Sequence, residues 1–427
     1  MGLRIIRTTK KPITMRPTKQ NTFCFYPYTS LVLKIFDNDQ LQKVAPCCMM
    51  HDRERSVLTT DEIGDLTPLE IFEHKNFEQL RADGLNEVKN KNCDVCWGQE
   101  KRGLTSPRLK SVGDTSWPLP AKNLREFDLS FSNKCNLVCR MCNLGSSHQF
   151  YKDYEFFKTH DLIDDINTAT SHSTFPDRPN NTNTEHNKQL DWIRENYRSI
   201  GTLKISGGEP LYDKKVVELL RLMVDNNHAK NVDLELHTNA TLLRGEIVEL
   251  LNNFKSQGHT FSVDGTEKTY EYIRHLSSFS LIEDNIIQWI YRSSNIQHIK
   301  FNLVLSALNV LNLREYFEWI GDTFRPVFPG PKFIPQVHVS EVRPYNRGIA
   351  LHHLPTDLLR TASARFGLLR RGSVVHDYGN TSRMIELAIS NNKCDKQKLL
   401  NEVSLFDRSR NQHYRDFVDP LLIEVLE

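Results

Sequence analysis

Apolar positions recur in different rhythms along this chain, and the change of rhythm divides it. The runs FCFYPYTSLVLKIF and LQKVAPCCMM, within residues 23–50, are rich in aromatic and β-branched side chains and flank the turn-forming DNDQ at 37–40. This predicts two short strands around a turn. The stretch PLEIFEHKNFEQLRADGL that follows places Leu69, Phe72, Phe77 and Leu80 roughly on one helical face. With NKNCDVCWGQEKRG behind it, residues 21–110 read as a small cysteine-rich α+β domain with little apolar core. Such a unit is one whose folding a metal centre assists. Residues 1–20 read as a disordered arm.

From about Glu126 the rhythm becomes that of strands alternating with helices. The predicted strands are EFDLSFS (126–132), TLKIS (202–206), VDLELHT (232–238), HTFSVDG (259–265), HIKFNLVLS (298–306) and KFIPQVHVS (332–340). Between most of them lie helical segments such as DKKVVELLRLMVDN and NLREYFEWI. Six strands in β-helix-β order imply a parallel sheet over residues 120–345, doubly wound or curled into a partial barrel. TATSHSTFPDRPNNTNTEHN (168–187) reads as a long polar loop between the first two strands. Residues 346–427 read as a helical tail, in which Cys394 is a lone thiol on a helix, RFGLLRRG (365–372) a basic helix end, and His352 with His353 a surface pair.

Composition narrows the class. Charged residues make up 25% and hydrophobic ones 39%, the balance of a soluble globular protein. A net charge of +2 gives no field suited to nucleic acid or an anionic membrane. No apolar run approaches the roughly 18–20 residues that cross a bilayer. The basic N-terminus lacks the apolar core of a secretory signal, and Ile6 stands where myristoylation needs a hydroxyl. A reducing, cytoplasmic setting is therefore expected, where clustered cysteines point to metal or redox chemistry rather than disulfides.

The nine cysteines are clustered: Cys24, then Cys47 and Cys48, Cys93 and Cys96, and the triplet Cys135, Cys139 and Cys142. The triplet directly follows the first strand of the alternating region, SGGEP (206–210) the second and HTNAT (237–241) the third, while SVDG (262–265) ends the fourth. Catalytic groups of parallel α/β folds sit on such loops. Three thiolates spaced C-x3-C-x2-C can hold three irons of a cubane cluster and leave the fourth open to another ligand. A zinc loop completed by His148 is the competing reading. Gly207 and Gly208 allow close backbone approach, and the Glu209 carboxylate suits a zwitterionic ligand whose ammonium needs an acceptor. Thr238, Asn239 and Asp264 also fit ordinary capping or turn formation.

The C-x3-C-x2-C loop followed by GGEP at the next strand end resembles the radical S-adenosylmethionine (SAM) superfamily. The resemblance implies an α/β fold, a partial (β/α)6 TIM-type barrel, with Cys135, Cys139 and Cys142 as ligands of a site-differentiated 4Fe-4S cluster. It also implies that Gly207, Gly208, Glu209 and Pro210 hold the methionine amino group of SAM, with Thr238, Asn239, Ser262 and Asp264 as further cofactor or substrate contacts. The residue before the third cysteine, often aromatic in the family, is Met141 here, and a thioether can pack on a purine face. The N-terminal segment resembles twitch domains that hold an auxiliary iron–sulfur cluster, which implies Cys24, Cys47, Cys93 and Cys96 as ligands, with Cys48 as the alternative to Cys47. A structural zinc ribbon is the competing reading of this quartet. Trp97 is expected to shield such a cluster from water. LLNEVSLFDRSRN near the C-terminus resembles the tail of twitch-domain radical proteins.

The activity so implied is reductive cleavage of SAM to a 5′-deoxyadenosyl radical that abstracts a substrate hydrogen. The electron comes from a low-potential donor, and the substrate is a peptide or protein. A small metabolite, such as a sugar or nucleotide derivative, is the alternative substrate. A non-catalytic metal-binding interaction module is the alternative of another class.

Overall fold

The computed structural model describes residues 14–15, 17–18, 20–35, 41–50, 56–110, 117–118, 122–171, 188–327, 335–342, 346–369 and 378–427. The chain divides into two compact units, the smaller comprising 1–33 and 42–128, the larger 34–41 and 129–427. Most of the expected polar loop, residues 172–187, and most of the N-terminal arm lie outside the described residues.

In the smaller unit the strands β1 (Ser30–Ile35) and β2 (Leu41–Ala45) are hydrogen-bonded neighbours, as the aromatic and β-branched runs predict. The single helix expected after them is two: α1 (Pro68–Glu73) and α2 (Lys75–Leu85). Thr67 and Glu70 form a capping box at the start of α1, and His74 ends it and caps α2 through Nδ1. The break rotates the apolar face. Leu69 is therefore 45% exposed, and Ile71 is buried with Phe72 and Phe77 instead. The helix α3 (Asp94–Lys101) carries Cys96. Thr14–Met15 pairs antiparallel with Trp117–Pro118.

Among the described residues, the larger unit carries a run of six longer strands: β3 (Glu126–Ser130), which enters it at Leu129, β4 (Thr202–Ser206), β5 (Asp233–Thr238), β6 (Ser256–Ser262), β7 (Ile296–Leu305) and β8 (Gln336–Glu341). Each lies beside its neighbour in sequence, and β4 to β8 pair in parallel. This sequential order, flanked by helices, is that of an incomplete (β/α) barrel. Alternation fixes which face is buried: Leu203 and Ile205, Leu234 and Leu236, and Phe301 and Leu303 are fully buried. The helix α4 (Lys214–Asp225), capped by Asp213, buries Val216, Leu219, Leu220 and Met223, the 3.6-residue stripe that its sequence shows. The fourth barrel strand ends at Ser262, so Val263, Asp264 and Gly265 form the loop beyond it rather than its last residues.

The tail is helical as expected, with α5 (Thr356–Gly367), α6 (Tyr378–Ser390), α7 (Lys396–Arg410) and α8 (Pro420–Leu426). Two details differ from expectation. His353 is only 4% exposed, because the short helical turn Leu351–His353 packs it inward, so the histidines are not a surface pair. Cys394 precedes α7 in a loop with φ of +45°, not on a helix. Of the basic helix end, α5 stops at Gly367, and residues 370–372 lie outside the described residues. No helix among the described residues is long and apolar enough to cross a membrane.

Candidate active site

The cysteine loop leaves β3 and is closed by its own polar side chains. Asn133 Nδ2 donates to the Leu144 carbonyl at 2.8 Å, Ser147 Oγ to the Leu137 carbonyl at 2.5 Å, and the Cys135 N–H to His148 Nδ1 at 3.1 Å. His148 Nδ1 is thus committed to the backbone and not directed at the thiols. Cys135, Cys139 and Leu137 form a small buried cluster against which Met141 and Cys142 pack.

The GGEP turn after β4 is pressed onto the start of that loop. The Gly208 N–H donates to the Ser132 carbonyl at 3.2 Å and the Glu209 N–H to the Lys134 carbonyl at 2.8 Å. A Cβ on Gly208 would lie 2.2 Å from the Lys134 oxygen, and one on Gly207, at φ of +122°, would lie 2.5 Å from Ser130 Oγ. Only glycine fits either place. Pro210 follows at the first position of a short helical turn that Glu209 caps.

Glu209 is 1% exposed. Its carboxylate accepts from Thr238 Oγ1 at 2.8 Å, the Asn239 N–H at 2.7 Å and the Leu211 N–H at 3.1 Å. Burial raises its pKa to about 7 against the pull of those three donors. Asn239 also donates to Asn136 Oδ1 at 2.9 Å, and its Nδ2 lies 4.0 Å from Cys135 Sγ. The structure therefore brings Cys135, Gly207, Gly208, Glu209, Thr238 and Asn239 together around one loop junction. Met141 and Ser262 are half-buried.

Asp264 is fully buried on the loop after β6 and pairs with Arg274, Nη2 to Oδ2 2.6 Å. Arg274 Nη1 lies 3.6 Å from Cys139 Sγ. The neighbouring Cys142 side chain and burial raise the Cys139 thiol, while Cys139 lowers that of Cys142. Burial pushes Cys135 up to about 12. Arg274 escaped the sequence reading, because an isolated arginine at a helix end carries no spacing signal. So did Asn136 and Asp213, the latter accepting from Ser132 Oγ at 2.5 Å.

In the smaller unit, Cys24, Cys47 and Cys93 line one pocket with Trp97. Cys96 is buried, and burial raises its thiol above the ordinary range. Burial pushes the Cys24 thiol up to about 12, and Cys47 and Cys93 rise for the same reason. Cys48 is exposed and does not line the pocket. Trp97 donates to the Asn90 carbonyl at 3.1 Å and is stacked by the Arg108 guanidinium 4.7 Å from its ring. Among the described residues no three His, Cys, Asp or Glu side chains close on a single metal-ion position. A cubane spaces its ligands more widely, because each thiolate binds a different iron.

Residues 129–286 match the family model of the Radical SAM superfamily, so this segment is a radical SAM domain, an enzymatic domain whose family implies a 4Fe-4S cluster and SAM. Among curated proteins, the radical SAM cyclopropyl synthase TigE of Paramaledivibacter caminithermalis is 25% identical over 263 residues, 59% of this chain and 46% of that protein. The chain thus spans less than half the length of this curated relative. Among solved structures, SuiB of Streptococcus suis bound to precursor peptide SuiA is 16% identical, with a TM-score of 0.35 over 70% of this chain and 58% of that one. The anSMEcpe enzyme with bound AdoMet and Cp18Cys peptide is also 16% identical, with a TM-score of 0.32 over 55% of this chain and 56% of that one.

Proposed function

We propose that the chain is a radical SAM enzyme that modifies a peptide or protein. The observation that carries the reading is the junction itself: the GGEP turn rests on the cysteine loop, and Glu209 is oriented by Thr238 and Asn239 from the next strand. The donor set fits the implied group. Three free thiols stand on one short loop, with the Arg274 guanidinium beside the Cys139 sulfur. In this reading Cys135, Cys139 and Cys142 hold three irons, and Gly207, Gly208, Glu209 and Pro210 receive the SAM methionine group. When bound, cluster and SAM together supply a 5′-deoxyadenosyl radical for hydrogen abstraction.

The chain's own residues bind and exclude water. Glu209 offers an acceptor for an ammonium inside a buried site, where an ion pair is worth more than in water. Thr238 and Asn239 fix the rotamer of that carboxylate, Met141 offers a polarisable face for the adenine, and Ser262 borders the same strand ends. Asp264 acts through Arg274.

The division proposed is an arm over 1–20, an auxiliary-cluster unit over 21–110 with Cys24, Cys47, Cys93 and Cys96 as ligands, a radical SAM core over 120–345 and a helical tail over 346–427. Peptide or protein is proposed as substrate because the N-terminal cysteine unit resembles those of peptide-modifying radical enzymes. A low-potential donor supplies the electron.

Anaerobic reconstitution of the full chain and of its Cys135→Ala/Cys139→Ala/Cys142→Ala variant tests the reading. About eight irons falling to about four, with 5′-deoxyadenosine formed only by the unmutated chain, is the expected result. An iron-loaded chain that never cleaves SAM under reducing conditions overturns it.

A further inference from the structure

Asp264 and Arg274 are almost completely withdrawn from water, with side-chain exposures of 0% and 9%. A buried ion pair is a poor source of stability, since desolvating both charges offsets most of their attraction. This pair is nevertheless held from several sides. Asp264 Oδ1 accepts the Val304 N–H at 2.6 Å, and the Asp264 carbonyl accepts Asn309 Nδ2 at 2.9 Å. Arg274 is fixed through its backbone, because Arg274–His275 pairs antiparallel with Val138–Cys139 and sets Arg274 directly opposite Cys139. One guanidinium nitrogen meets Asp264 and another meets the Cys139 sulfur at 3.6 Å. The arginine is therefore locked, in main chain and side chain, to one sulfur of the triplet.

We propose that this pair sets the reduction potential of the cluster held by Cys135, Cys139 and Cys142. Arg274 is the hydrogen-bond donor and positive charge at the Cys139 sulfur, and Asp264 is the counter-charge that limits its effect. The proposal rests on the cluster assignment above and assigns two positioning residues to it. One electron from the low-potential donor adds one negative charge to the cluster, with no bond made or broken at the protein. A donor and a cation at a ligand sulfur favour the reduced state and raise the potential. A carboxylate behind the cation opposes that, more strongly in a dry interior than in water. The two residues therefore pull in opposite directions, which a merely structural pair does not do.

The experiment is an EPR-monitored redox titration of the reconstituted full-length chain. It is read on the signal that disappears in the Cys135→Ala/Cys139→Ala/Cys142→Ala variant. Arg274→Gln is expected to lower the ratio of reduced to oxidised cluster at a fixed donor potential at least tenfold, a shift of about 59 mV for a one-electron couple. Asp264→Asn is expected to move it the other way, and Arg274→Lys to fall between the parent and Arg274→Gln. Shifts of the same sign in Arg274→Gln and Asp264→Asn, or no shift in Arg274→Gln at unchanged iron content, overturn the proposal. If Asp264→Asn loses its iron, the order of Arg274→Gln and Arg274→Lys decides. A parent chain with no signal to lose would instead overturn the cluster assignment itself.

Discussion

The Arg347 guanidinium donates to the backbone carbonyl of Arg140 at 2.6 Å while it pairs with the Glu402 carboxylate, both side chains being fully buried. Arg140 sits between Cys139 and Met141, and Glu402 is on α7. The helix α7 of the tail therefore grips the backbone of the cysteine loop. Two further buried pairs reinforce it: Arg140 Nη2 with Asp407 at 2.5 Å and Arg410 Nη2 with Asp153 at 2.7 Å. The Arg140 guanidinium also lies 3.6 Å from the Tyr272 ring, whose hydroxyl donates to Asp407 at 2.8 Å.

Removing one partner of such a pair leaves a buried charge alone. Glu402→Ala is therefore expected to cost about 3–5 kcal/mol of unfolding free energy and to reduce the iron retained at the triplet. Urea denaturation checks the first and iron analysis the second. A change under about 1 kcal/mol would show that water reaches Arg347 and that the helix does not brace the loop.

Gly208 tests the seat of the GGEP turn. A Cβ there meets a carbonyl oxygen and carbon of Lys134, at 2.2 and 2.6 Å, and backbone cannot rotate away as a side chain would. Gly208→Ala is expected to force the turn off the cysteine loop and to abolish SAM binding. Gly367, at the end of α5, has nothing within 4 Å of the same position, so Gly367→Ala should leave binding unchanged and stability within about 1 kcal/mol of the parent. Equilibrium binding of SAM to the two reconstituted variants separates the outcomes.

The parts of this fold that are legible in the sequence are those written in local rhythm. The β4 strand runs over Thr202–Ser206 as its alternation predicts, and α4 buries the stripe that its spacing shows. Gly208 and Glu209 were visible because a motif marks them. Arg140 and Arg347 were not. Their partners lie far along the chain: Arg347 meets residues 55 and 207 positions away, and Arg140 one 267 positions away. Such pairings arise only once the tail has folded onto the sheet. Leu69 was misplaced for a local reason, the capping by His74 that splits one expected helix into two. The burial of His353 is another product of tail packing that no local period announces.

Two adjacent cysteines give the N-terminal unit an internal control. Cys47 lines the pocket that Cys24 and Cys93 share, whereas Cys48 is exposed. Cys47→Ala is expected to halve the iron of the reconstituted chain, from about eight to about four, and Cys48→Ala to leave it unchanged. Iron retained in Cys47→Ala but lost in Cys48→Ala would reverse the assignment. Zinc in place of iron in the parent would make the quartet a structural metal site.

The pH dependence of stability should carry the signature of Glu209. Burial raises this carboxyl from 4.5 to about 7 in the folded chain, while in the unfolded chain it titrates near its ordinary value. The folded state therefore holds the proton more tightly. Its contribution is fully present below about pH 4.5 and is lost as pH rises toward 7, because stability falls wherever the folded state binds more protons. The full difference amounts to about 3 kcal/mol. Glu209→Gln, which keeps the shape without the titration, should flatten that limb in the iron-free protein. It should also weaken SAM binding after reconstitution, since a neutral amide is a poorer acceptor for an ammonium. Denaturation midpoints measured from pH 4.5 to 7.5 on both chains compare the slopes. An unchanged slope in Glu209→Gln would mean that the carboxylate is solvated in solution and that its three donors, not burial, govern its charge.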